Sequence, residues 1–203
     1  MKLLLPILVV LTVIFTHKSY SQDVGHSSLP ARSYLVGEEM LLNGYATRRR
    51  MNGNPIYTSA LYLKDKSSDS EQIMDQRSIK RSVVIFHMDI PMYIAKKVFL
   101  EDLFINMRKE ELKDIFPIVR KFIEMSPENG FMQHDELRFD FLPGEGTKIY
   151  LNSVEMATIV NPEFYNAILS QWIGPFPITR EFKNAMLGVA KQKSSAIEAS
   201  LEH

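Results

Sequence analysis

Arg48-Arg49-Arg50 and, nine positions on, Tyr57 are the polar side chains of this 203-residue sequence best placed to do chemistry. A guanidinium and a phenol on one face of a sheet can hold an anion through charge-assisted hydrogen bonds. With apolar walls around them, the pair suits an amphipathic carboxylate or a phenolate: the charge is paired while the tail leaves water. Arg49 and Arg50 lie nearer a turn and read as solvated charges. Other groups offer less. His26, His87 and His134 are scattered without metal-ligand spacing, so no metal is expected. Asp135, Glu136 and Asp140, interleaved with Arg138, read as solvated carboxylates of a strand rather than an acid–base pair. No nucleotide loop, zinc-peptidase or serine-hydrolase motif is present, and no cofactor is expected.

The positions of Arg48 and Tyr57 follow from a hairpin. Asn52-Gly53 separates two strand-like runs, 41–50 and 56–63, and Asn-Gly is a strong two-residue turn signal. That loop places Met51 opposite Asn54, Arg50 opposite Pro55, Arg49 opposite Ile56 and Arg48 opposite Tyr57. Pro55 then falls in a non-hydrogen-bonded pair, where its missing N–H costs nothing. Gly44 and Ala46 share the face of Arg48, and their small side chains leave room above the sheet for a ligand.

Composition narrows the partners. The chain has 24 Lys+Arg and 24 Asp+Glu, which gives no electrostatic case for nucleic acid. It has no cysteine, which excludes disulfide scaffolds, thiolate metal sites and thiol nucleophiles. Lys2, the apolar run Leu3–Phe15 and the small-x-small site Ser19-Tyr20-Ser21 read as a secretory signal over 1–21. The run is shorter than the roughly 20 residues that span a bilayer. A periplasmic or secreted protein without stable membrane insertion is therefore expected. Residues 22–33 read as a flexible lead-in, 34–190 as one domain, and 191–203 as a tail whose Leu201-Glu202-His203 resembles a vector-derived remnant.

Periodicity supplies the remaining elements. Residues 70–77 suggest a short helix and 79–88 a buried strand. Helical spacing runs over 92–108 and continues from Leu112 to Ile123, with Pro117 expected to kink or restart it. Strands follow at 136–142, 148–151 and 156–160. Asn161 caps a helix with Pro162 at its first position and Gly174 at its end, and a last helix starts after Thr179. Strands, a helical block, strands, then helices make an α+β fold with a largely antiparallel sheet.

Four segments occur in order: Asn43-Gly44-Tyr45-Ala46-Thr47-Arg48, Ile56-Tyr57-Thr58-Ser59-Ala60-Leu61-Tyr62-Leu63, Asp140-Phe141-Leu142-Pro143-Gly144-Glu145-Gly146-Thr147, and Leu169-Ser170-Gln171-Trp172-Ile173-Gly174 with Pro177-Ile178-Thr179. Together they resemble the chalcone isomerase-like family, and within it an exported bacterial branch. The resemblance implies an open-faced β-sandwich, a large antiparallel sheet with a layer of helices packed on it and a cleft between. It implies an arginine at Arg48 that aids ring closure in the isomerases and holds a carboxylate, with a tyrosine, in the fatty-acid-binding branch. Tyr57 stands where the plant isomerases have threonine, a departure from the catalytic set, and the family's further tyrosine falls near Tyr93. Three functions follow as expectations. The first is binding of a fatty-acid-like or other apolar acid by Arg48, Tyr57 and Tyr93. The second is an isomerase of the intramolecular-lyase type, with Arg48 and Tyr57 catalytic on an unidentified enone; the small-molecule partner is thus an apolar acid or a phenolic ligand. The third is a non-catalytic cell-envelope interaction module whose cleft is filled.

Overall fold

A computed structural model describes residues 21–24, 27–75 and 77–189. Strands β1 (Ser21–Val24) and β2 (Ser27–Pro30) pair as a small antiparallel ribbon. Seven more form one antiparallel sheet in sequence order: β3 (Arg32–Leu35), β4 (Glu38–Arg49), β5 (Pro55–Leu63), β6 (Lys80–Phe86), β7 (Glu136–Leu142), β8 (Gly146–Leu151) and β9 (Val154–Ile159). Among the described residues five helices are named: α1 (Ser70–Met74), α2 (Met92–Asn106), α3 (Lys109–Met125), α4 (Pro162–Ile173) and α5 (Arg180–Met186). The sheet is curled and open-faced, with helices packed on it, an α+β architecture as the element order implied. Among the described residues no helix is long and apolar enough to cross a membrane.

Strand alternation divides the side chains between two cores. Ala46, Leu61, Val84, Phe139 and Ile149 face the helices and meet Phe122, Phe164 and Trp172. Ala60, Tyr62, Val83 and Ile85 point to the opposite face and pack with Leu29, Leu35 and Met40. The stretch expected to be a flexible lead-in thus contributes strands. Leu29 is buried, the Tyr62 hydroxyl donates to the Pro30 carbonyl (3.1 Å), and the Leu42 N–H donates to the Ala31 carbonyl (3.0 Å). A single leucine among Gly, Ser and Pro carries no alternation, so the pairing was invisible in the pattern.

The hairpin holding Arg48 corrects the expected turn. The Arg50 N–H donates to the Asn54 carbonyl (2.9 Å) and the Gly53 N–H to the Arg50 carbonyl (2.9 Å). Gly53 has φ +85, so the loop is the three-residue type that ends on a left-handed glycine. Arg49 then pairs with Pro55, and a bulge at Ile56 restores Arg48 opposite Tyr57. The longer loop and the bulge offset each other by one residue, so the pair that matters is as expected.

Nor is there ligand space above Gly44. A second bulge lies at Asn43, whose Nδ2 donates to the Met186 carbonyl (3.0 Å) and whose Oδ1 accepts from the Ser67 N–H (2.8 Å). The end of α5 is thereby drawn onto the strand. A Cβ at Gly44 would stand 2.1 Å from the Ala185 carbonyl oxygen and 2.4 Å from that of Met186. Gly44→Val should therefore lower stability by about 3 kcal/mol through forced displacement of α5, read as a reduced denaturation midpoint. An unchanged midpoint would mean that this contact is loose.

Pro117, expected to kink or restart the helix, does not restart it: α3 runs on through it. It sits on the exposed side of the helix, where the carbonyl left without a donor can meet water. The break falls instead at Met107-Arg108, where α2 ends and the Glu111 carboxylate accepts from the Arg108 N–H (2.9 Å) to open α3. The other caps are as the sequence predicts. Asn161 accepts from the Phe164 N–H (3.1 Å), and Thr179 accepts from the Phe182 N–H (3.0 Å).

Lys80 is 1% exposed, with its ammonium donating to the Asp75 and Ser78 carbonyls and lying 4.7 Å over the Phe141 ring. Burial, only partly offset by Asp75, pushes its pKa down to about 8. The unfolded chain keeps this proton up to about pH 10.4, so between those values it binds more protons than the folded one and stability rises with pH. Denaturation midpoints of the wild type should increase from pH 7.5 to 9.5, and Lys80→Met should abolish the increase. Parallel profiles for the two proteins would contradict this.

Candidate functional site

Arg48, Tyr57 and Phe86 stand in one row across β4, β5 and β6, on the face that the helices cover. The Tyr57 and Phe86 rings meet edge-on at 6.4 Å, and Phe86 stacks on Phe131 at 4.4 Å. Below this row the helices seal the sheet. Beside it they do not: a cavity of about 460 Å³ opens between the sheet end, α2, α3 and α4. Its walls are mostly apolar, including Ile56, Val84, Met88, Ile90, Phe99 and Trp172. Arg48 and Tyr57 are among its polar lining residues.

The geometry adds a partner that the sequence did not reveal. Arg48 Nη1 donates to Asp102 Oδ2 at 3.1 Å, with the two side chains 25% and 20% exposed. Asp102 sits one turn before the end of α2, and Asn106, the last residue of that helix, fixes it. Asn106 Nδ2 donates to the Asp102 carbonyl (2.9 Å) and the Phe176 carbonyl (2.8 Å), and its Oδ1 accepts from the Phe176 N–H (2.9 Å). Arg48 and Trp172 stand near the Tyr57 phenol and favour its ionised form, against the burial that opposes it.

Burial works against every charge in this cluster. It pushes the Tyr57 phenol up, despite Arg48 and Trp172. It pushes the Asp102 carboxyl up, because the attraction of Arg48 does not fully offset desolvation and Glu101 adds repulsion. At Arg48 burial opposes the cation, but Tyr57 and Asp102 together hold its pKa above the ordinary value. The pair is therefore asymmetric: the guanidinium is firmly charged and the carboxylate is strained toward its neutral form.

Tyr93 lies in the first turn of α2 and lines the cavity rim with 72% of its surface exposed. Arg50, expected to be only solvated, also reaches the mouth, as does Lys96. Arg49 turns away and donates to the Gly53 carbonyl (3.0 Å). Of the histidines, His26 lies outside the described residues, and His134 is exposed with φ +75. His87 is bonded through Nε2 to the Thr58 hydroxyl (2.7 Å), which bonds Thr47 (2.8 Å), as a satisfied rim histidine would be. Among the described residues no group of acidic and histidine side chains could hold a metal ion.

Asp140 corrects its expected solvation, because β7 turns it to the face opposite the cavity and buries it. Arg81 grips it through Nε–Oδ1 (2.5 Å) and Nη2–Oδ2 (2.8 Å), and Arg138 lies 3.4 Å away, stacked over the Tyr150 ring at 4.2 Å.

Comparison with known proteins fits this architecture. A family model described as chalcone isomerase-like matches residues 21–188. The chain belongs to the chalcone isomerase-like family. Among solved structures, this family member is similar to a fatty-acid binding protein of Arabidopsis thaliana, with a TM-score of 0.64 at 12% sequence identity, covering 84% of this chain and 96% of that one. At that identity the likeness establishes the shared fold. No curated protein matches the sequence.

Proposed function

We propose that this chalcone isomerase-like protein binds a fatty-acid-like or other apolar acid, with Arg48 as the anchor, Tyr57 as a hydrogen-bond donor and Tyr93 at the rim. The observation that carries the reading is the cavity itself: about 460 Å³ of mostly apolar space with Arg48 and Tyr57 in its wall. That volume lies within the usual range of small-molecule sites, and each methylene buried there is worth about 0.8 kcal/mol. The fold shared with a fatty-acid binding protein supports the same reading. An interaction module with a filled cleft fits less well, since the space beside Arg48 is open. Ring-closing isomerisation needs donors aimed at a developing enolate, and Tyr57 stands where the resemblance to the isomerases places a threonine.

The test is displacement of a fluorescent acyl probe, cis-parinaric acid, by saturated acids of 8 to 18 carbons. Saturable binding with a chain-length optimum is the expected result. Absence of probe binding at any concentration below its micelle threshold would overturn the reading. The same proposal includes export, supported by Lys2, the apolar run Leu3–Phe15 and Ser19-Tyr20-Ser21. Exported material should then begin near Gln22.

A further inference from the structure

We infer that Asp102 sets the head-group specificity of this cavity: an acid binds at Arg48 with one proton held between its carboxyl group and the Asp102 carboxyl, so that binding takes up a proton from solvent. This deepens the binding reading and rests on it. Arg48 already carries one anion, because its Nη1 donates to Asp102 Oδ2 at 3.1 Å. A ligand carboxylate on the same guanidinium would bring two anions to one cation in a partly desolvated site. Two carboxylates sharing such a site do not both stay ionised; one proton between them turns repulsion into a hydrogen bond.

Among the described residues, Asp102 is ion-paired with Arg48 and with no second cation. On its own helix Asp102 is next to Glu101, which adds negative charge. From β5 comes Tyr57, a neutral phenol. The lining from α3 and the residue that caps its end is Phe122, Ile123 and Ser126, and from α4 it is Ile168, Gln171 and Trp172, none of them ionisable. Lys96 and Arg50 are exposed at the mouth, where Asp89 accompanies them. Burial already holds Asp102 above its ordinary value without a ligand, so the proton has a prepared place.

Titration calorimetry of lauric acid into the protein, in two buffers of different ionisation enthalpy from pH 6.5 to 8.5, reads the proton directly. The expected result is uptake of about one proton per acid and affinity falling about tenfold per pH unit. Dodecan-1-ol, which brings no charge, should bind with no pH dependence. Asp102→Asn keeps an acceptor for Arg48 and offers an N–H to a carboxylate, so it should flatten the lauric acid profile and bind more tightly than wild type at pH 8.5. Lauric acid that binds with pH-independent affinity and no proton uptake overturns the inference while leaving the binding reading intact. Failure of both ligands to bind at any pH overturns both. Should Asp102→Asn not fold, the wild-type proton count decides alone.

Discussion

Arg48→Ala weakens binding of a long-chain acid by about 100-fold, equivalent to about 3 kcal/mol, in direct titration with the wild type as reference. The loss has two sources. The ligand forfeits its charge-assisted donor, and Asp102 is left as an unneutralised carboxylate in the cavity wall. Arg48→Lys should fall between the two proteins, since an ammonium keeps the charge but cannot serve Asp102, Tyr57 and a ligand from one planar fork. The fold should survive either change, because the side chain is a quarter exposed and lies at the end of the sheet. Equal affinities in all three proteins would mean that the apolar walls alone do the binding.

Asp140→Ala has the largest expected effect on stability, a loss of about 3–5 kcal/mol. Asp140 is 2% exposed and receives both arms of Arg81, with Arg138 alongside. Its removal strands two guanidinium groups over a partly apolar face, and a buried cation without its partner is costly. The pair also organises its surroundings, for Arg81 Nη1 donates to the Ser33 hydroxyl on β3. Urea denaturation compared with Asp140→Asn, which keeps one acceptor, measures the charge contribution. A change below about 1 kcal/mol would place this cluster among ordinary surface pairs.

The pattern of the sequence made the helices at 162–173 and 180–186, the strand at 136–142 and the pairing of Arg48 with Tyr57 legible, because caps, alternation and a glycine turn are local signals. What escaped was long-range. Asp102 sits on α2, 54 positions from Arg48, and one aspartate among helical charges gives no sign of facing inward. Asp140 was misread for the same reason: strand alternation gives its face but not that Arg81 and Arg138 bury it there. Gly44 looked like free space, and only the docking of α5 shows that its missing side chain is occupied by backbone. The hairpin was right at Arg48 through two offsetting irregularities, a loop one residue longer and a bulge at Ile56.

The central claim is that the cavity beside Arg48 holds an apolar acid. Native mass spectrometry of the protein incubated with an equimolar mixture of saturated acids, wild type beside Arg48→Ala, tests it most directly. The account predicts a 1:1 complex with a narrow set of chain lengths in the wild type and its loss in the variant. A wild-type spectrum showing only the bare protein, or equal loading of both proteins, would contradict it.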